Sequence, residues 1–286
     1  MVERDEFPTA QYIAESLSKF GGAAFKRLAP GEGLSALERG GVLIKSVVSY
    51  RTGAVCDIAA HERVAAESGA LIVWDLSHAT GAVALDLTAL GARIATGCTY
   101  KYLNGGPGAP AFVYVEGKLC EQMASPLSGW MGHADPFAFD PSYQPAPGIK
   151  RFAAGTPGIL SLSALAGALS VFEGVEMTAL SAKARALGDL CLSRTDALGF
   201  ETISPGIGEM RGGHVSVLSD DGYPIVQALI ARGIIADFRA PNIVRFGVSP
   251  LYVRFVDVWD AMDALEDIVS SRSWDQPQFH VRSTVT

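Results

Sequence analysis

The sequence is short of charge and of cysteine. Charged residues make up 19% of the 286, and 30 acidic against 23 basic residues leave a formal net charge of −7. Such a balance provides no basic surface for nucleic acid or an anionic membrane, so a small molecule is the expected partner. The four cysteines, Cys56, Cys98, Cys120 and Cys191, include no close pair, which fits neither a disulfide framework nor a zinc site and implies a reducing cytoplasm. No run approaches the ~18 apolar residues that span a bilayer, and the charged start, Met1-Val2-Glu3-Arg4-Asp5-Glu6, has no apolar export core. Neither a membrane partner nor export is expected.

Several site types are missing too. There is no Gly-x-Ser-x-Gly elbow, no Walker loop and no complete Gly-x-Gly-x-x-Gly, and the five histidines form no i, i+4 pair, so no metal is expected. Gly206-Ile207-Gly208 is incomplete and follows Pro205, and reads as a turn. No internal repeat or low-complexity stretch is evident.

Apolar residues, by contrast, reach 49%, and a chain of this length holds a full core and two unequal domains. Spacing predicts a helix over residues 10–20 capped by Thr9, a strand over 42–48, a helix over 58–67 stopped by Gly69, and strands over 71–74, 93–96 and 111–115. One or two helices over 159–190, broken at Gly174, lead to a smaller unit with strands over 215–218 and 243–248, helices over 224–232 and 256–270, and a polar tail over 276–286. The class is α/β, with a mostly parallel sheet in a large domain (residues 1–180) and a small C-terminal α/β domain (181–286).

The chemistry centres on Gly97-Cys98-Thr99-Tyr100-Lys101-Tyr102-Leu103-Asn104-Gly105-Gly106-Pro107-Gly108. A lysine among small residues just past an apolar strand is partly desolvated, gives up its proton more readily and is a candidate Schiff-base amine. Upstream, Ala70-Leu71-Ile72-Val73-Trp74 ends at Asp75-Leu76-Ser77-His78, and ligands of open α/β sheets sit at such strand ends. Lys101 and Asp75 together supply what pyridoxal phosphate requires: an amine partner, and an anion that keeps the pyridine nitrogen protonated as an electron sink. Alone, the aspartate reads as a helix cap and the lysine as a solvated loop residue.

With Trp74, His78 and Tyr100, the run from Lys101 to Gly108 closely resembles kynureninase, a fold-type-I pyridoxal-phosphate enzyme of tryptophan breakdown; this implies a fold-type-I large domain. The resemblance implies Lys101 and Tyr100 as catalytic residues, with Tyr100 touching the cofactor phosphate and moving protons. It places Asp75, His78, Ser46 and Phe7 around the cofactor, Phe7 stacking on its ring. Trp130 and Thr156 match positions that reach the phosphate of a neighbouring subunit, which implies a homodimer. Arg245, before Pro250-Leu251-Tyr252, matches an arginine suited to bidentate capture of the α-carboxylate of an amino-acid substrate. Read without the resemblance, Phe7 is a core phenylalanine, Ser46 a structural strand serine, His78 a satisfied polar residue, Tyr100 a packed aromatic, and Arg245 a strand residue turned to solvent.

Two departures accompany the resemblance. Ala10 stands where the family pattern has an aspartate, and family members carry a substantial segment before Phe7-Pro8-Thr9, including a phosphate-cradling helix start. The large domain is therefore expected to be N-terminally truncated, with a bare sheet edge and exposed apolar area. The expected activity is hydrolysis of the Cβ–Cγ bond of kynurenine to anthranilate and alanine. Its rivals are a non-catalytic remnant or partner subunit, and a related enzyme such as a cysteine desulfurase, whose reactive cysteine loop is not recognisable.

Overall fold

Short apolar runs alternating with helical periodicity fold into two units, seen in a computed structural model that describes residues 1–206 and 210–282. The first unit comprises Met1–Val47, Asp57–Ser77 and Leu85–Glu173, and the second Val48–Cys56, His78–Ala84 and the chain from Gly174. Most of the Gly206-Ile207-Gly208 turn reading, and the end of the polar tail, lie outside the described residues.

The first unit contains β1 (Val2–Glu3), α1 (Pro8–Gly21), β2 (Arg27–Leu28), α2 (Gly33–Leu37), β3 (Val42–Ser46), α3 (Ile58–Ser68), β4 (Leu71–Asp75), β5 (Ile94–Cys98), β6 (Ala111–Val115), α4 (Gly117–Gln122) and α5 (Ile159–Ser170). Its sheet runs β2-β1-β3-β4-β5-β6, parallel throughout except for β6, which pairs antiparallel with β5. Parallel neighbours need a crossover, and α3 provides it between β3 and β4. Asp57 caps this helix by accepting the Ala60 N–H at 2.9 Å, and Gly69, at φ 71°, ends it as the sequence predicts. Trp74 of β4 is fully buried, and its indole N–H is satisfied by Glu62 Oε1 at 2.7 Å.

Two details depart from the sequence reading. Helix α1 starts at Pro8 with Phe7 at the N-cap, not after a Thr9 cap, because proline at the first helical position has the required φ preset and no N–H to satisfy. Helices α1 and α5 bury no residue, which leaves Tyr12, Ile13, Leu17 and Phe20 of α1, and Ile159, Leu160, Leu162 and Leu169 of α5, exposed.

The second unit contains α6 (Met177–Ala197), β7 (Glu201–Thr202), β8 (His214–Leu218), α7 (Gly222–Ala231), β9 (Asp237–Arg239), β10 (Ile243–Gly247), α8 (Phe255–Ser271) and α9 (Pro277–His280). Its sheet, β7-β8-β10-β9, is antiparallel. The core joins Leu187 and Cys191 of α6, Val215 and Val217 of β8, Leu229 of α7, Val244 and Phe246 of β10, and Leu265 and Ile268 of α8. Gly174, at φ 74°, separates α5 from α6, as its break in the helical period predicts. Among the described residues no helix is long and apolar enough to cross a membrane. Leu265 is fully buried in this core, so Leu265→Ala is expected to destabilise the unit by about 2–5 kcal/mol, read as a lower urea midpoint at unchanged slope.

Candidate active site

Strand pairing assembles the site. Parallel register sets Ser46 of β3 opposite Asp75 of β4, and Asp75 opposite Thr96 of β5. Three polar side chains thus lie side by side toward the carboxyl ends of apolar strands. The pairing continues beyond the strands through Val47 N–H to Asp75 O at 2.9 Å and Leu76 N–H to Thr96 O at 2.8 Å. Asp75 Oδ1 accepts the Ser77 N–H at 2.7 Å, which fixes the orientation of its carboxyl group.

Beyond β5 the chain folds into a tight turn. Asn104 N–H donates to Lys101 O, and Gly105 N–H to Thr99 O, each at 2.9 Å. Asn104 adopts φ 61° and Gly106 φ 73°, the left-handed conformation that asparagine and glycine tolerate best. A Cβ on Gly105 would stand 2.9 Å from the Thr99 carbonyl and 2.8 Å from Ala109 Cβ, so only glycine fits. The distinctive run after Lys101 is therefore the recipe for this turn. Lys101 itself is half-buried, with Nζ 5.4 Å from the centroid of the exposed Tyr100 ring.

On the other side of Asp75, Ser46 is committed to an internal partner. Its hydroxyl donates to Glu6 Oε2 at 2.5 Å, and its N–H to Glu6 Oε1 at 3.0 Å. Glu6 is buried. Burial pushes its carboxyl above the ordinary range, and the charge of Glu3 adds to this against the hydrogen bonds of Ser46 and the charge of Lys45. Phe7 follows directly and is part-exposed, not a core phenylalanine. Farther along the unit, Trp130 lies in a 3₁₀ turn (Trp130–Gly132) with its ring 5.6 Å from that of Phe137, edge to face. Trp130 and Thr156 are both exposed.

The second unit carries the remaining two residues singled out from the sequence. His78 has its ring 5.7 Å from that of the buried His214. Arg245 is not turned to solvent. It pairs across the sheet with Asp237 of β9, donating from Nε to Oδ1 at 2.7 Å and from Nη2 to Oδ2 at 2.5 Å, while Nη1 donates to Tyr50 O at 2.5 Å. Burial opposes ionisation of Asp237, but the hydrogen bonds and charge of Arg245, helped by Arg239, outweigh it and hold the carboxyl below its usual value. Among the described residues these bonds engage three of the five guanidinium N–H groups, and two remain for a second acceptor. Asp237 and Glu6 are the residues that sequence reasoning missed. Strand β9 has only three residues and no visible period, and Glu6 looks like part of a charged leader.

The donor set fits pyridoxal phosphate. An amine in a glycine-shaped turn, an oriented carboxylate at a neighbouring strand end and a part-exposed phenylalanine are groups suited to its aldehyde, its ring nitrogen and its ring face. Of the four cysteines, Cys120 and Cys191 are buried, and burial pushes the Cys191 thiol up to about 12, which leaves the half-buried Cys56 and Cys98 as the thiols open to chemistry.

Solved structures agree on the fold. A form of C-DES with glycine covalently linked to the PLP cofactor superposes with a TM-score of 0.80 at 17% identity, covering 93% of this chain and 73% of that one. Aspartate aminotransferase from Thermus thermophilus gives 0.70 at 18%, covering 93% and 78%. The fold is that of the fold-type-I pyridoxal-phosphate enzymes. Among sequences, the family model for the kynureninase C-terminal domain matches residues 180–265. Kynureninase of Pseudomonas fluorescens is 43% identical over 294 aligned residues, spanning 100% of this chain and 71% of the relative. That of Burkholderia pseudomallei is 44% identical over 292, spanning 99% and 70%. Strand tips, lysine turn and whole-chain identity lead to one assignment: the chain belongs to the kynureninase family.

Proposed function

We infer that the protein is a kynureninase-type hydrolase that uses pyridoxal 5'-phosphate to cleave the Cβ–Cγ bond of L-kynurenine with water, releasing anthranilate and L-alanine in tryptophan catabolism. The observation that carries this reading is the register that brings Asp75 to the end of β4, next to the strand that feeds the Lys101 turn. The cofactor supplies the electron sink that lets bonds at the substrate Cα and Cβ break.

Within this reading each residue has a task. Lys101 Nζ would hold the cofactor and would move a proton at the substrate Cα. Asp75 holds the proton on the ring nitrogen. Tyr100 Oη handles a proton beside the side-chain carbonyl and, with His78, steadies the phosphate. Phe7 covers the ring face, and Ser46 lines the approach to it. Arg245 binds the substrate carboxylate through the two N–H groups that Asp237 and Tyr50 leave over. Residues 1–180 serve as the cofactor-binding domain and 181–286 as the small domain.

We also propose a cytoplasmic homodimer that contributes to NAD biosynthesis. The exposed apolar residues of α1 and α5, and the exposure of Trp130 and Thr156, support a second copy that is covered by these helices and receives those two side chains at its phosphate. The same exposed apolar faces, with Ala10 in place of a carboxylate, favour a second reading in which the chain is a partner subunit or a non-catalytic remnant. Turnover of kynurenine by the purified chain alone eliminates that second reading.

Two tests follow. Purified protein given pyridoxal phosphate should develop a visible absorbance band that Lys101→Ala abolishes, together with a loss of turnover on the order of 10²–10⁴-fold; absence of the band in the unaltered protein contradicts the reading. Asp237→Asn should raise KM about tenfold, with a smaller effect on kcat, because the guanidinium loses the ion pair that aligns it. Since the folded-state pKa of Asp237 is depressed, its stabilisation is present above the ordinary carboxylate value and is lost as pH falls through the folded one. Unfolding of Asp237→Asn should therefore depend less on pH below about 4.

A further inference from the structure

We infer that Glu6 is a positioning residue, whose carboxyl group, held by Ser46, locks the Phe7 turn to the β3 tip beside Asp75 and so fixes the aromatic cover of the cofactor ring. The inference rests on the cofactor reading above and adds to it a residue that touches neither cofactor nor substrate.

The tie acts on the segment that carries Phe7. Helix α1 buries no residue, and Phe7 at its N-cap offers no side-chain acceptor to the helix start. Packing against a core, which holds most helices in place, is therefore not what fastens α1. Polar ties do this instead. Gln11, one turn into α1, donates from Nε2 to Glu6 O at 2.9 Å and to Arg4 O at 3.1 Å, which fastens the helix to the turn. Glu6 then fastens the turn to the sheet: both of its carboxyl oxygens bind Ser46, one through the N–H and one through the hydroxyl.

A competing account makes Glu6 a simple counter-ion for Lys45. The distances decide against it. Lys45 Nζ lies 2.5 Å from Glu3 Oε2 and 3.4 Å from Glu6 Oε1, so the cation belongs first to Glu3, whose other oxygen accepts the Gly33 N–H at 2.6 Å. Glu6 makes its shorter bonds to Ser46. Keeping a carboxyl group buried on a neutral partner is costly, and here it ties together two segments on which the proposed site depends. Because Ser46 is the register partner of Asp75, the tie aligns Phe7 relative to the strand that carries the ring-nitrogen partner.

The test compares Glu6→Ala, Glu6→Gln, Phe7→Ala and the double variant Glu6→Ala/Phe7→Ala. Without cofactor, Glu6→Ala should speed amide hydrogen exchange over residues 7–11 about tenfold, as expected when a hydrogen bond to a charged group is lost, whereas Glu6→Gln, which keeps an acceptor for the Ser46 N–H, should change it little. With pyridoxal phosphate, Glu6→Ala should weaken binding and diminish the induced circular dichroism of the bound cofactor to the level of Phe7→Ala. The double variant should be no worse than either single one, since the two act as a unit. Where Glu6→Ala fails to fold, Ser46→Ala cuts the hydroxyl half of the tie from the strand side and should lower the induced signal in the same way. Unchanged exchange and dichroism, or effects of Glu6→Ala and Phe7→Ala that multiply, overturn the inference while leaving the cofactor reading intact. Failure of the unaltered protein to take up pyridoxal phosphate overturns the cofactor reading and this inference with it.

Discussion

Backbone hydrogen bonding between β3, β4 and β5 is the constraint on which everything else depends. A parallel ladder fixes which residues stand abreast, and a slip of one residue turns each side chain to the opposite face. Here the buried Leu43, Ile72, Trp74 and Ala95 set that register. Its consequence is that Ser46 and Asp75, which end β3 and β4, stand abreast of each other and of Thr96 in the middle of β5. The site is thus a by-product of core packing: the hydrophobic positions choose the alignment, and the polar residues that follow them inherit their proximity.

Charge is placed with equal economy. In the first unit, Glu3, Lys45 and Glu6 form a buried group at the sheet's rim, with Glu3 neutralising the lysine and Glu6 turned to Ser46. In the second, Asp237 and Arg245 neutralise each other across one rung of the β9–β10 ladder, so a guanidinium is held nearly buried without carrying an unpaired charge. Each arrangement leaves a feature usable by a ligand: a part-exposed phenylalanine turn in one case, and two unspent N–H groups in the other. Neither would exist had the charged residues been left in water.

Much of this was legible in the sequence, for identifiable reasons. The 71–75 and 94–98 strands are short β-rich runs that end in polar or glycine-rich stretches, and the lysine turn announces itself because Asn104, Gly105 and Gly106 are needed for its geometry. Helix α3 shows its terminal glycine, whereas the cap that Asp57 provides emerges only in the structure. Less legible were elements too short for a period to show, such as β1, β2 and β9. Thr9 misled because a hydroxyl in the right place for a cap is outweighed by the proline before it. The role of Glu6 was hidden because its partner lies 40 residues away, and no local pattern reveals a tie of that span. Arg245 was noticed as a charge in an apolar strand, but its aspartate sits in a strand that the sequence does not reveal.

The central claim is that Lys101, presented by the glycine turn beside the Asp75 strand tip, is the residue that holds the cofactor. It is tested most directly by incubating the protein with pyridoxal phosphate, reducing it with borohydride, digesting it and locating the pyridoxyl group by mass spectrometry. The account predicts a single modified peptide, with the added mass on Lys101. A pyridoxyl group on any other lysine, or on none, would contradict it.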